Sequence, residues 1–186
     1  MNIIYKIKSV FLKWFSDIQL FRAPIWVLFG KTSYNINGVD SRNILNVLRP
    51  GDILLRRYDH YVAGLFIPGY FTHTSIYVGD NNVIHMLGDG ICKEDILTFL
   101  RCDDIIVLRH SDLTKTENAI KKAYEYLSEK IQYDYDFNFQ LQNRFSCTEL
   151  IDCCYDHIEF SSKKMDNIIS PDDFLNVKEL VTIWKK

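Results

Sequence analysis

The sequence has no CxxC pair and no regular cysteine spacing. Its five cysteines, an odd number with two adjacent at Cys153 and Cys154, argue against a disulfide scaffold. Free thiols in a reducing compartment are expected, and with them a cytoplasmic location. Charge of one sign is also missing. With 22 basic and 24 acidic residues the net charge is −2. No strong field and no DNA- or RNA-binding signature points to nucleic acid as a partner. Long apolar runs are absent. The strongest apolar pattern near the start is broken by Lys13 and Asp17 and is followed by no small-residue cleavage site. It reads neither as a bilayer span nor as a signal peptide. There is no internal repeat and no low-complexity tract. What remains is 47% hydrophobic, 25% charged and 14% aromatic over 186 residues. That is enough for one ordinary domain with a core, together with an arm.

The arm is placed at residues 1–47 and the main domain at 48–186. Residues 2 to 20 carry an amphipathic helical pattern, with Ile3, Ile7, Val10, Phe11, Trp14, Phe15 and Ile18 on one face. Asn2, Lys6, Lys8, Ser9, Lys13 and Asp17 fall on the other. Most such helices pack on their own domain, which is the expectation here. The lysines and the Trp/Phe-rich face also suit a membrane surface, so membrane contact through residues 1–22 is the alternative. Asp40 is expected to cap a short helix through Val47, ending near Pro50.

Ile53–Arg57 reads as a buried strand after a Pro50-Gly51-Asp52 turn. Residues 72–79 and 83–87 read as a hairpin around Asp80-Asn-Asn82. Side chains alternate in a strand, so His73, Ser75 and Tyr77 share one face. An odd-length loop or a bulge sets Ser75 opposite His85 and makes His73 and His85 diagonal neighbours, about 7–8 Å apart between backbones. An even loop would send His85 to the other face. The odd loop is the expectation. Residues 91–100 suit a short helix or turn burying Ile96, Phe99 and Leu100. Asp104–Arg109 is another strand. A capping box at Thr114–Glu117 is expected to open a helix that buries Ile120, Ala123, Tyr124, Leu127 and Ile131. A short helix begins at Ser170-Pro171, and Val181–Trp184 closes the chain as a strand.

The stretch around Arg144-Phe-Ser-Cys-Thr-Glu-Leu150 carries the chemistry. Ser146 with Glu149 three residues on is a capping box, which makes Ser146 the N-cap and Cys147 the first helical residue. A thiol there feels the positive end of the helix dipole and free backbone N–H groups, both of which favour the thiolate. The same groups could hold an oxyanion. The alternative is that Cys147 is a small buried filler. A cysteine nucleophile needs a base, usually a histidine oriented by a third polar group. His73 at the opening of its strand is the base candidate, and His85, twelve positions on, the orienter. Two rings this close should not both be charged, so one is expected neutral near pH 7. Tyr77, on the His73 face, offers a hydroxyl, although core filling is the simpler role. Zinc held by His73, His85 and Cys147 is a weaker reading, because no short paired ligand spacing is present. His60, His110, His157, Cys92, Cys102, Cys153 and Cys154 are expected to be structural or at the surface.

The order of motifs resembles the circularly permuted NlpC/P60 group of papain-like cysteine hydrolases, in particular its YiiX/YebB-like branch. The resemblance rests on Gly51-Asp-Ile-Leu-Leu-Arg56, Phe71-Thr-His-Thr-Ser-Ile-Tyr-Val-Gly79, Val83-Ile-His85 with Gly90 after it, Asp104-Ile-Ile-Val-Leu-Arg109, Tyr133-Asp134 and Ser146-Cys-Thr-Glu-Leu150. It implies an α+β, permuted papain-like fold with an antiparallel sheet or partial barrel packed against helices. It makes Cys147 the nucleophile and His73 the base, with the Cys147 backbone N–H in the oxyanion hole. The third position falls on His85, where YiiX-like members often carry Glu. Lecithin:retinol acyltransferase-like proteins have histidine at the equivalent place. The implied activity is a thiol hydrolase acting on an amide or (thio)ester of a small-molecule, peptide or lipid acyl substrate, without a cofactor. Acyl transfer to a lipid amine or hydroxyl, and a non-catalytic binding module with the same pocket, are the alternatives. The arm lies outside the matched motifs.

Overall fold

In chain order the elements are α1 (Ile3–Ser16), β1 (Gln19–Leu20), β2 (Val27–Leu28), α2 (Gly38–Val47), β3 (Ile53–Arg57), β4 (His73–Gly79), β5 (Asn82–Leu87), β6 (Gly90–Asp95), α3 (Ile96–Phe99), β7 (Asp104–His110), α4 (Leu113–Glu129), β8 (Gln132–Tyr133), β9 (Arg144–Phe145), α5 (Cys147–Cys154), a 3-10 turn (Pro171–Asn176) and β10 (Leu180–Lys185). This computed structural model describes residues 3–16, 19–20, 27–28, 34–59, 61, 64, 67–136, 143–160 and 168–186. His60, Ile18 and the connection 137–142 lie outside the described residues. Among the described residues no helix is long and apolar enough to cross a membrane.

One six-stranded antiparallel sheet, ordered β10-β7-β3-β4-β5-β6, organises the α+β fold. Strand alternation splits its side chains into two cores. Ile53, Leu55, Ile76, Val78, Ile84, Met86, Ile106 and Leu108 face α4 and α5, meeting Ala119, Ala123, Leu150, Ile151 and Cys154. Leu54, Tyr77, Val83, Ile105 and Val107 face the other way, toward Ile44 of α2 and Ile96 and Phe99 at α3. The central strands are therefore apolar on both faces, as the run Ile53-Leu-Leu55 requires. Gly51, at φ 88, enters β3 where a Cβ would collide with Thr116 of α4.

The hairpin turn differs from the odd loop expected. Asp80 and Asn81, at φ 48 and 60, form a two-residue turn of the kind that matches strand twist. An even loop alone would turn His85 away. A β-bulge between Tyr77 and Gly79 supplies the missing offset, so Ser75 does pair with His85. Residues 91–95, expected as part of a helix or turn, belong to the edge strand β6, which pairs along its whole length with β5. Their alternation of Ile91 and Lys93 with Cys92 and Glu94 is too polar to stand out as a strand. Ile96, Phe99 and Leu100 are buried as expected.

Two caps move by a residue or more. Asn37, not Asp40, is the N-cap of α2, and Asp40 closes its capping box from the third position. Asp112, not Thr114, caps α4 by accepting from the Thr114 and Lys115 amides. The expected stripe of Ile120, Ala123, Leu127 and Ile131 does pack on the core, with Thr116 and Ala119 buried beside it, whereas Tyr124 is 42% exposed. The closing strand β10 pairs with β7, and Pro171 opens the 3-10 turn.

Candidate active site

α5 starts as the sequence dictates. Ser146 accepts from the Glu149 amide, and the Glu149 carboxylate accepts from the Ser146 amide. That reciprocal cap uses two of the amides at the helix start. The amides of Cys147 and Thr148 take no part in that cap, and they work against the rise that burial gives the Cys147 thiol. Thr74, the residue after His73, works in the same direction. The Thr74 hydroxyl also donates to the Cys147 carbonyl at 2.6 Å. That bond ties the start of α5 to the opening of β4. Beside it lies a pocket whose lining includes Ile67, Pro68, Tyr133, Cys147, Ile168 and Ile169.

The two histidines meet on the opposite face of β4. His73 Nε2 and His85 Nδ1 are 2.8 Å apart, and both rings contact Phe99. Glu94 of β6 stands behind them, its carboxylate 3.4 Å from His85 Nε2. That is ion-pair distance, but off line for a hydrogen bond, and His85 Nε2 has no such partner. The Arg56 guanidinium lies 3.8 Å from the same carboxylate and 3.9 Å from the Phe99 ring centroid. The arrangement selects tautomers. A carboxylate accepts only, so it favours a proton on His85 Nε2. His85 Nδ1 then accepts from His73 Nε2–H, and the lone pair of His73 is left on Nδ1.

Burial pushes the Cys147 thiol up, and the amide and hydroxyl donors around it oppose that rise. The resting group is therefore the thiol and not the thiolate that the helix terminus alone suggests. Burial likewise raises Cys92 to about 11, and Cys102 and Cys153 to about 12. Of the five cysteines, Cys147 is the one with hydrogen-bond donors working against burial. His73 keeps a solvent-facing edge. Even so, the protein packed around it, then the Arg56 charge and the His85 ring, hold its pKa well below 6.5. Burial lowers His85 too, with Glu94 opposing. Both rings are neutral at pH 7.

In the unfolded chain these rings would titrate near 6.5. Below that pH the unfolded chain takes up protons that the folded chain refuses, so stability is complete above about 6.5 and falls as the pH drops beneath it. The urea midpoint is expected to decrease between pH 7.5 and 5.5. It should decrease less in a His73→Gln/His85→Gln variant, and an equal decrease would show that other groups carry the effect.

Residues 47–182 match the family described as permuted papain-like amidase enzymes of the YaeF/YiiX, C92 type. The chain belongs to that amidase family. Its fold is also that of YiiX from Escherichia coli O157:H7, with a TM-score of 0.60 at 15% identity, covering 75% of this chain and 98% of that one. No curated protein matches the sequence.

Within this amidase, sequence reasoning singled out Cys147, His73 and His85 but missed Glu94 and Arg56. Glu94 would have been legible had β6 been read as a third strand, since it falls diagonally from His85 across the β5–β6 register. Arg56 pairs directly with His73 in the β3–β4 ladder. Tyr77 does not reach the sulfur. Its hydroxyl accepts from the Asn81 amide at the far end of the hairpin, and its ring fills the second core. Among the described residues no group of three or more His, Cys, Asp or Glu side chains is arranged around a metal ion.

Proposed function

We propose that this amidase cleaves an amide or (thio)ester bond through an acyl-cysteine intermediate. The Cys147 sulfur attacks the carbonyl carbon while His73 Nδ1 takes the thiol proton. The C–N, C–O or C–S bond then breaks, and the proton passes from His73 to the leaving group. His73 next draws a proton from water, which attacks the thioester and releases the acid and the free thiol. His85 holds the His73 ring, and Glu94 holds the tautomer of His85. The Cys147 and Thr148 amides bind the oxyanion once the sulfur moves onto the substrate. His73 is the first residue of β4, and this reading requires its Nδ1 to reach the sulfur past the end of that strand. The observation that carries this reading is the hydrogen bond from the Thr74 hydroxyl to the Cys147 carbonyl, which ties the residue after His73 to the start of α5.

Hydrolysis is the first reading. The apolar side chains of Ile67, Ile168 and Ile169 at the pocket favour an acyl chain as the substrate's acid part, and hence transfer to a lipid amine or hydroxyl as a second reading. The E. coli neighbour is described as a metalloprotein. The donors here do not suit a metal, because His73 and His85 turn their nitrogens on each other at 2.8 Å. Brief exposure to an activated aryl ester, followed by intact-mass and peptide analysis, tests the proposal. An acyl adduct on Cys147 that is absent in Cys147→Ala is expected. An adduct on Cys153, or one that persists in the variant, would overturn it.

A further inference from the structure

The arm helix α1 rests on the domain with the wrong side inward for an ordinary amphipathic helix. Tyr5 donates from its hydroxyl to the Tyr133 carbonyl at 2.6 Å. Lys8 pairs with Asp136, and the Arg144 guanidinium lies 3.9 Å from the Tyr5 ring centroid. Tyr5, Ser9 and Leu12, spaced i, i+4, i+7, are the partly buried stripe. Ile7 and Val10 point away from that stripe and are 67% and 69% exposed, with Phe11 at 56% on the same side. A helix packed for the stability of its own domain would turn those residues inward. Polar and aromatic partners at Tyr133, Asp136 and Arg144 capture the Tyr5 side.

Charge identifies what covers the outer face. The helix contains Lys6, Lys8 and Lys13 and no acidic residue. Its +3 against −2 overall leaves −5 for the rest of the chain. A basic helix on an acidic body, with apolar side chains outward, has the makeup of an interfacial membrane helix. Its position matters as much. Tyr133, which receives the Tyr5 hydroxyl, also lines the Cys147 pocket, and Arg144 is three residues from Cys147. We infer that α1 lays Ile7 and Val10 into the headgroup region of an anionic bilayer and so holds the Cys147 pocket at the membrane surface. For its substrate consequence, access to acyl groups held in the membrane, the inference rests on the acyl-cysteine reading.

The full chain is tested by flotation with phosphatidylcholine vesicles and with mixed phosphatidylcholine–phosphatidylserine vesicles, beside an Ile7→Asp/Val10→Asp variant. Both positions are exposed, and an Ile7→Ser/Val10→Ser pair repeats the test more mildly. The expected result is flotation with the anionic vesicles, reduced about tenfold or more by the double substitution and weaker on phosphatidylcholine alone. No flotation of the wild type, or equal flotation of the variants, overturns the inference. So does a lipid-free dimer that the substitution converts to a monomer, since the face would then be a contact between copies of this chain. Cys147→Ala is expected to float like the wild type. A chain that floats but forms no acyl adduct keeps the membrane helix and loses the acyl-cysteine reading, so the two failures are distinct.

Discussion

Replacing His73 by alanine is expected to lower kcat/KM toward an activated ester by about 10²–10⁴-fold while leaving the fold intact, the usual range for loss of a general base. The size follows from the resting state of the thiol. Burial keeps Cys147 protonated, so in the proposed reaction the proton has to leave as the sulfur attacks, and a neutral imidazole is needed to accept it. The low pKa of His73 keeps that base unprotonated at neutral pH. His85→Ala should cost less, because it frees the ring without removing it. Glu94→Ala should cost less again, acting only through the His85 tautomer. The order His73, His85, Glu94 is a specific expectation of a chain of contacts running from the 2.8 Å histidine pair to the 3.4 Å carboxylate. A loss under about threefold in His73→Ala, or a larger loss at Glu94 than at His73, would refute it.

Asp52→Ala is expected to reduce folding stability by about 3 kcal/mol, the lower end of what breaking a buried ion pair costs. Asp52 is 1% exposed and receives Arg109 Nε and Nη2, each at 2.7 Å, with the Arg49 amide at 2.8 Å. Arg109 Nη2 also donates to the Val47 carbonyl at the end of α2. One carboxylate therefore joins β3, β7 and the end of α2. The estimate stays at the low end because Arg109 keeps part of its surface in water. Asp52→Asn retains part of the network and should cost less. Urea unfolding of the two variants measures the difference, and a change under about 1 kcal/mol in Asp52→Ala would show that the pair is replaced by solvent.

What could be read from the sequence follows the range of the interactions. The Ser146–Glu149 cap is a contact over three residues, and the structure reproduces it atom for atom. The central strands were legible because both faces are apolar. The Ser75–His85 pairing was legible as a requirement, but its cause was not. The turn is even, and the offset arises in a bulge at Val78 that no local residue pattern announces. The edge strand β6 went unread because an edge needs only one apolar face and here carries Lys93, Glu94 and Asp95. With it went Glu94, whose meaning depends on a partner nine residues away on another strand. The outward face of α1 was beyond sequence altogether. Periodicity places Ile7 and Val10 together, but which side of a helix docks is decided by partners such as Tyr133 and Asp136, more than a hundred residues on.

Whether the Cys147 sulfur and the His73 imidazole work as one unit is decided by alkylation kinetics. Iodoacetamide is applied to the folded protein across pH 5.5–8.5, with peptide mapping, in the wild type and in His73→Ala. Cys147 is expected to be modified first, ahead of Cys92, Cys102 and Cys153, whose thiols burial holds at about 11 to 12. Removing His73 is expected to slow that modification at neutral pH by about 10²-fold or more. Modification of Cys147 at the same rate with and without the imidazole would contradict it.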